Sequence, residues 1–193
     1  MLFRSSEAQK SDAGLREQLL TLMQGPGFRD FIIRNADDRL LVSGLLNGVE
    51  FRIDLQGRYP KYGELLRGLP AERPEEYRDI HDEPFLTSGD AGREVHWAVA
   101  REPLELIAHI ITNDLPYTEV LTADYTMVNA LTDLVYRSGS GFSQEFTDER
   151  GFYDRADLAA FKPGYNNGSV PLDEYYGHDR SEEHTSELQS PDH

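Results

Sequence analysis

At 193 residues, with 38% hydrophobic and 28% charged side chains, the chain has the length and composition of one globular domain with a sizeable core. Its 35 acidic against 19 basic residues, a formal charge of −16, exclude the basic footprint by which nucleic-acid phosphates or an anionic membrane surface are held. It contains no cysteine, so disulfides, thiolate catalysis, iron-sulfur ligation and covalent haem attachment are excluded within this sequence. No window has the apolar length of a bilayer-spanning helix, and Met1 to Glu7 lacks the charged leader and apolar core of a secretory signal. The expectation from these features alone is a soluble chain with no membrane insertion and no nucleic-acid partner.

Residues 1–10 are polar and aperiodic. Ser11 and Asp12 then offer N-caps for a helix with Leu15, Leu19, Leu22 and Met23 on one face, closed by Gly25-Pro26-Gly27. A second helix, from about Phe28 to Asp38, carries Phe31, Ile32 and Ala36 as its apolar stripe and leaves Arg29, Asp30, Asp37, Asp38 and Arg39 in water. Leu40 to Leu46 fits a continued helix or a strand. After Asn47-Gly48, the alternation of Val49, Phe51, Ile53 and Leu55 has period two, which predicts a small β-hairpin near residues 45–55. Gly57, Pro60, Gly63 and Pro70 punctuate the next stretch and leave one short helix over Tyr62 to Gly68.

Between residues 71 and 90 stand Glu72, Glu75, Glu76, Asp79, Asp82 and Glu83. They read as a solvated acidic stretch, because no Asp-x-Asp-x-Asp-Gly loop gathers their oxygens round one cation. Helix resumes near Gly92 with Val95, Ala98 and Val99. Pro103 interrupts it, since a proline ring clashes with the carbonyl four residues back and donates no hydrogen bond. The more economical reading starts a new helix with Pro103 in its first turn, carries Leu104, Ile107, His109, Ile110 and Ile111 on its apolar side, and ends it at Asn113-Asp114. A short helix through Pro116, Glu119 and Leu121 and a last one with Ala130, Leu131, Leu134 and Val135 come next. Glu102 to Tyr136 is thus the densest apolar run, expected to be the core as a set of short helices broken at Pro103 and Pro116. Beyond Arg137, Gly, Ser, Pro and Asn interrupt every element while aromatics persist at Phe142, Phe146, Phe152, Tyr153, Phe161, Tyr165, Tyr175 and Tyr176. That composition predicts an ordered loop lying on the helical body.

The fold class expected is therefore mainly α: an irregular helical domain over residues 11–137, with the hairpin near 45–55, and an irregular, aromatic-containing loop extension over residues 138–179. Arg180 to Ser190, RSEEHTSELQS, is identical to the translation of a common short-read sequencing adapter. Residues 180–193 are accordingly set aside from fold reasoning as an adapter-derived tail expected to hold no persistent structure, with the extension cut short before it.

The chemistry-bearing constellations are sparse. Glu94, His96 and His109 invite a metal site, but residues two apart point to different sides of a helix, and a histidine beside Ile110 and Ile111 reads as a boundary residue. Asp124, Tyr125, Thr126 and Asn129 form the best polar cluster. As a site, Asp124 would be a base or ligand with Tyr125 and Asn129 orienting a substrate. As structure, which the residue types favour, Asp124 or Thr126 caps the last helix and Asn129 bonds a neighbouring carbonyl. The run Gly164 to Ser169 reads as a turn and not a phosphate cradle. No catalytic residue, cofactor-binding residue or metal ligand is assigned, and no cofactor is expected in this chain.

Arg101 to Ile107 (REPLELI), then Leu121 to Asn129 (LTADYTMVN), followed by Leu131 and Tyr136, together resemble an uncharacterised bacterial domain family of large exported proteins, often found beside a cytochrome c-like module. In that family a helix precedes a Thr-Ala-Asp-Tyr-Thr-x-Val-Asn stretch, and a leucine and a tyrosine follow on the next helix. The resemblance covers residues 90–137 well and residues 15–70 loosely. It implies a helical module of a longer periplasmic or secreted chain, whose partners are the missing domains of the same polypeptide, and an association of the whole protein with haem redox chemistry. This chain departs from the family in lacking Cys-x-x-Cys-His and the later C-terminal domains, and the family supplies no catalytic residue to carry over. Two functional expectations result: a non-catalytic, structural or partner-binding helical module, or a fragment of a haem-linked oxidoreductase whose cofactor domain lies outside this chain.

Overall fold

In the computed structural model, residues 12–42, 55–77, 85–142, 152–153 and 155–177 are described. The fold is mainly helical with a small two-stranded antiparallel sheet. In chain order, α1 (Asp12–Met23) turns at Gly25 into α2 (Pro26–Leu40), whose first turn Pro26 suits because its φ is already helical and its missing N–H would have no helical partner. Leu41 closes α2 in the left-handed conformation and donates its N–H to the Asp37 carbonyl. Two short helices come next, α3 (Leu55–Arg58) and α4 (Pro60–Gly68), and then a 3₁₀ turn at Glu75–Tyr77.

The axis of the molecule is α5 (Ser88–Thr112), which α2, α4, β1 (Thr126–Val128) and α7 (Ala130–Tyr136) all contact. Its start is fixed by a capping box: Thr87 Oγ1 accepts from the Asp90 N–H at 3.1 Å, and the Asp90 carboxylate accepts from the Thr87 N–H at 3.3 Å. The stripe Ala91, Val95, Ala98, Leu104, Ala108 and Ile110 is buried on two sides. Towards α2 it meets Ile32, Ile33 and Ala36 through Leu104 and Ala108. On the other side, Val95 joins the larger cluster of Leu55, Tyr62, Leu86, Val128, Leu131, Val135 and Tyr136. Each such aliphatic side chain contributes about 1.5–3 kcal/mol by leaving water.

Past α5 come α6 (Glu119–Thr122), β1, α7, α8 (Arg155–Ala159), β2 (Lys162–Gly164) and α9 (Leu172–Gly177). β2 pairs antiparallel with β1, placing Gly164 opposite Thr126 and Lys162 opposite Val128. Two glycines let this extension fold on itself and lie against the body. A Cβ on Gly164 would stand 2.4 Å from the Ser140 hydroxyl, and one on Gly168 would stand 2.5 Å from the Val135 carbonyl oxygen. The backbone then bonds across the contact: Asn167 N–H donates to the Tyr136 carbonyl at 2.9 Å and Val170 N–H to the Arg58 carbonyl at 2.8 Å.

Several expectations change. Pro103 does not start a helix; it lies inside α5, on the exposed side, where the carbonyl it frees can face water while packing on the other sides holds the helix through it. The core is therefore built on one long helix, and the set of short helices begins only after Asn113. On α2, Ile33 is buried in place of Phe31, which is 62% exposed. The leucines of α1 stand in water, Leu22 at 67% exposure. Residues 45–54 of the hairpin predicted near 45–55 lie outside the described residues, and its last member, Leu55, starts α3. Residues 178–193, with the adapter-matching run, also lie outside them. The extension is not loop throughout, since α8, β2 and α9 fall within it. Among the described residues no helix is long and apolar enough to cross a membrane.

Candidate functional site

The chemistry in the interior is concentrated in two glutamates of α5, Glu102 and Glu105. Both fall on the stripe Val95, Ala98, Glu102, Glu105, whose alternating spacing of three and four residues keeps it on one side of a helix. A carboxylate in such a position leaves water and needs partners.

Glu105, 1% exposed, has them. The Arg29 guanidinium of α2 donates to its Oε2, and Arg101 Nε donates to its Oε1 at 2.6 Å from one turn back on α5. Arg101 is itself held over the Trp97 ring at 4.8 Å and the Phe161 ring at 5.8 Å. This arrangement ties α2, α5 and the extension together through one buried anion.

Glu102, 9% exposed, is provided for differently. Thr126 Oγ1 of β1 donates to its Oε2 at 3.2 Å, and the Tyr136 hydroxyl of α7 lies beside it. Its Oε1 is buried and accepts no hydrogen bond that meets ordinary geometry, and among the described residues no Lys or Arg pairs with it. Burial pushes the carboxyl up to about 8; hydrogen bonding from Tyr136 and Thr126 pulls it back only in part. Glu102 therefore holds a proton at neutral pH. Tyr136 is pushed up as well, by burial first and then by the adjacent Glu102 and Tyr59. The rings of Tyr136 and Tyr59 lie 5.1 Å apart, and Asn166 Nδ2 of the extension donates to the Tyr59 hydroxyl at 2.8 Å. A row of polar groups thus runs from Thr126 through Glu102, Tyr136 and Tyr59 to Asn166.

The residues singled out from sequence are scattered by the fold. Asp124 is exposed. Tyr125 donates to Glu119 Oε2 at 2.9 Å and meets the His109 ring edge-on at 5.9 Å. Thr126 alone of that cluster reaches the Glu102 row. Asn129, not Asp124 or Thr126, caps α7: its Oδ1 accepts from the Leu131 and Thr132 N–H groups at 3.1 and 3.0 Å, and its Nδ2 donates to the Leu158 carbonyl at 3.2 Å. Those bonds occupy the amide in supporting the helix and the extension. His96 packs against the Tyr62 ring, and thirteen residues of helix separate it from His109, about 20 Å at 1.5 Å per residue. The Glu94 carboxyl is raised, chiefly by burial. Among the described residues no three His, Asp or Glu side chains are gathered as metal ligands would be. The Gly164 to Ser169 run is the seat of the extension on α7. Sequence reasoning does not single out Glu102, Glu105 or Tyr136 as site residues; the signal available is two acids on the buried stripe of the helix.

A cavity of about 350 Å³ opens between α1 and α2, lined by Thr21, Leu22, Gly25, Gly27 and Phe28. Its surroundings are apolar and exposed, with Leu15, Leu19, Leu22, Met23 and Phe31 in water.

Comparison with family models, with curated proteins and with solved structures finds no match for this chain.

Proposed function

We propose that the chain is a non-catalytic helical module of a larger exported bacterial protein and that it docks another part of the same polypeptide through α1 and the α1–α2 cleft. The observation that carries this reading is α1 itself. A helix of twelve residues is marginal in water unless an apolar face is buried, yet Leu15, Leu19 and Leu22, spaced four and three apart, are all at least half exposed. A contiguous apolar surface of this kind marks an interaction site. The resemblance of residues 101–136 to a module of exported multidomain proteins supplies the kind of partner. The interior is consistent with a structural part: Asn129, Thr132 and Glu105 spend their polar atoms on holding elements together.

The test is to recover the complete reading frame, express the full-length protein, and compare amide hydrogen exchange in residues 13–23 with that of this chain. Protection of α1 at least about tenfold greater in the full-length protein is expected, since a buried helix opens less often. Equal exchange would overturn the docking assignment. A Cys-x-x-Cys-His motif in that frame, with haem-dependent activity lost on deleting residues 88–136, would replace it with the oxidoreductase reading.

A further inference from the structure

One of the places where the extension is held lies beside Glu102, a buried group with an oxygen that accepts no hydrogen bond. Tyr136 is common to both: its carbonyl accepts the Asn167 N–H at 2.9 Å, Gly168 is pressed against its backbone, and its hydroxyl faces Glu102. Thr126, which donates to Glu102, is the β1 residue paired with Gly164 of β2. Glu102 therefore touches two of the residues to which the segment 162–170 is attached, Thr126 through the strand pairing and Tyr136 through the α7 contact. From these contacts we propose that Glu102 is a proton-operated latch: as a carboxylic acid it lets the extension close on α5 and α7, and as a carboxylate it favours release.

The groups that face Glu102 agree with this. From β1 the facing group is the Thr126 hydroxyl, from α7 the Tyr136 hydroxyl, and behind that the Tyr59 hydroxyl, taken up by Asn166. On α5 itself, Arg101 is turned to Glu105, and Glu105 is already paired with Arg29. No cation is offered to a charged Glu102 among the described residues, and hydroxyls alone do not offset the loss of hydration of a buried carboxylate. The carboxyl stays protonated up to a pH of about 8 in the closed form, against an ordinary value of 4.5 once it is in water. Raising the pH between those values favours whichever state exposes it. In the proposed release, detachment of Gly164 and Asn167 frees Thr126 and Tyr136, the two residues that bond to Glu102, to move away from it. This latch stands apart from the docking of α1 and does not depend on it.

Hydrogen exchange of the Asn167 and Val170 amides, which bond to Tyr136 and Arg58 on the body, reads the latch directly. After correction for intrinsic exchange, their protection is expected to fall by about tenfold or more between pH 6 and pH 9 in the unaltered chain. With Glu102→Gln, which keeps the shape and never ionises, it should stay level. Tyr136→Phe removes a hydroxyl that favours the carboxylate while leaving the ring, so the midpoint of the fall should move to higher pH. A level profile in the unaltered chain, the same fall in Glu102→Gln, or an unmoved midpoint in Tyr136→Phe would each overturn the proposal. So would protection at Asn167 and Val170 equal at every pH to that of residues 104–110, because the extension would then leave only when the whole domain unfolds.

Discussion

Glu105 and Glu102 lie one turn apart on the same helix, equally out of place among aliphatic side chains, and the two sides of α5 treat them in opposite ways. Glu105 meets two guanidinium groups, Arg29 from α2 and Arg101 from α5 itself; the side facing β1 and α7 supplies Glu102 with two hydroxyls and leaves one oxygen unpartnered. A buried acid can be kept either by pairing its charge or by suppressing it, and one helix does both within about 5 Å of rise. The first arrangement is a clamp whose strength depends on geometry. The second is a group whose comfort depends on pH.

The largest expected effect separates the two acids. Because the Glu102 pKa is raised on folding, from about 4.5 to about 8, its contribution is fully present below pH 4.5 and is lost as pH rises through 8. At about 1.4 kcal/mol per unit this is about 4 to 5 kcal/mol at full extent. Urea unfolding of the unaltered chain should thus show stability falling from pH 5 to pH 8.5, and Glu102→Gln should flatten the profile and be the more stable protein at pH 8.5. If the two profiles run parallel, the burial of Glu102 has no energetic consequence.

Glu105→Gln should act in the other direction. Removing the anion between Arg29 and Arg101 is expected to cost about 3 kcal/mol, at the lower end for a buried pair because Arg29 is 40% exposed. The loss is measured by the shift in urea midpoint; a gain in stability would show that the clamp serves something other than holding α2.

A smaller effect tests the seat of the extension. Gly168→Ala places a methyl against the Val135 and Tyr136 backbone, and about 1 to 3 kcal/mol of overpacking should appear as faster exchange at Asn167 and Val170 and little change at residues 104–110. Smallest of all, exchanging Leu15, Leu19 and Leu22 together for Gln should change the stability of this chain by less than about 0.5 kcal/mol per residue, since those side chains are already in water. A fall of several degrees in Tm would mean that α1 buries them against its own domain.

Much of the helical outline can be read without the fold. Ser11-Asp12 and Gly25-Pro26 delimit α1, Asn113 ends α5, and the apolar spacing from Ala130 to Val135 marks α7, because caps and periodicity are local properties. The course of α5 through Pro103 is not legible in this way. A proline's cost of about 3 kcal/mol is a local penalty, and only the packing of α2, α4, β1 and α7 along the helix offsets it. Nor are β1 and β2 legible: three residues each carry no period, and their pairing across more than thirty positions is a tertiary contact. Asp124 and His109 draw attention because of their residue types, yet they lie on the surface or its boundary.

By itself the sequence determined a mainly helical, acidic, cysteine-free chain and picked out Glu102 to Tyr136 as an apolar run, which carries part of the core, since composition and apolar spacing are enough to set those. The tertiary structure decided which of the two buried acids meets a second cation and which meets only hydroxyls. Spacing places Glu102 and Glu105 on one buried stripe, but whether an arginine or a hydroxyl waits there depends on Arg29, Thr126 and Tyr136, which reach α5 from α2, β1 and α7. Burial and partnership are properties of the assembled elements, and the charge state of Glu102 is set by them.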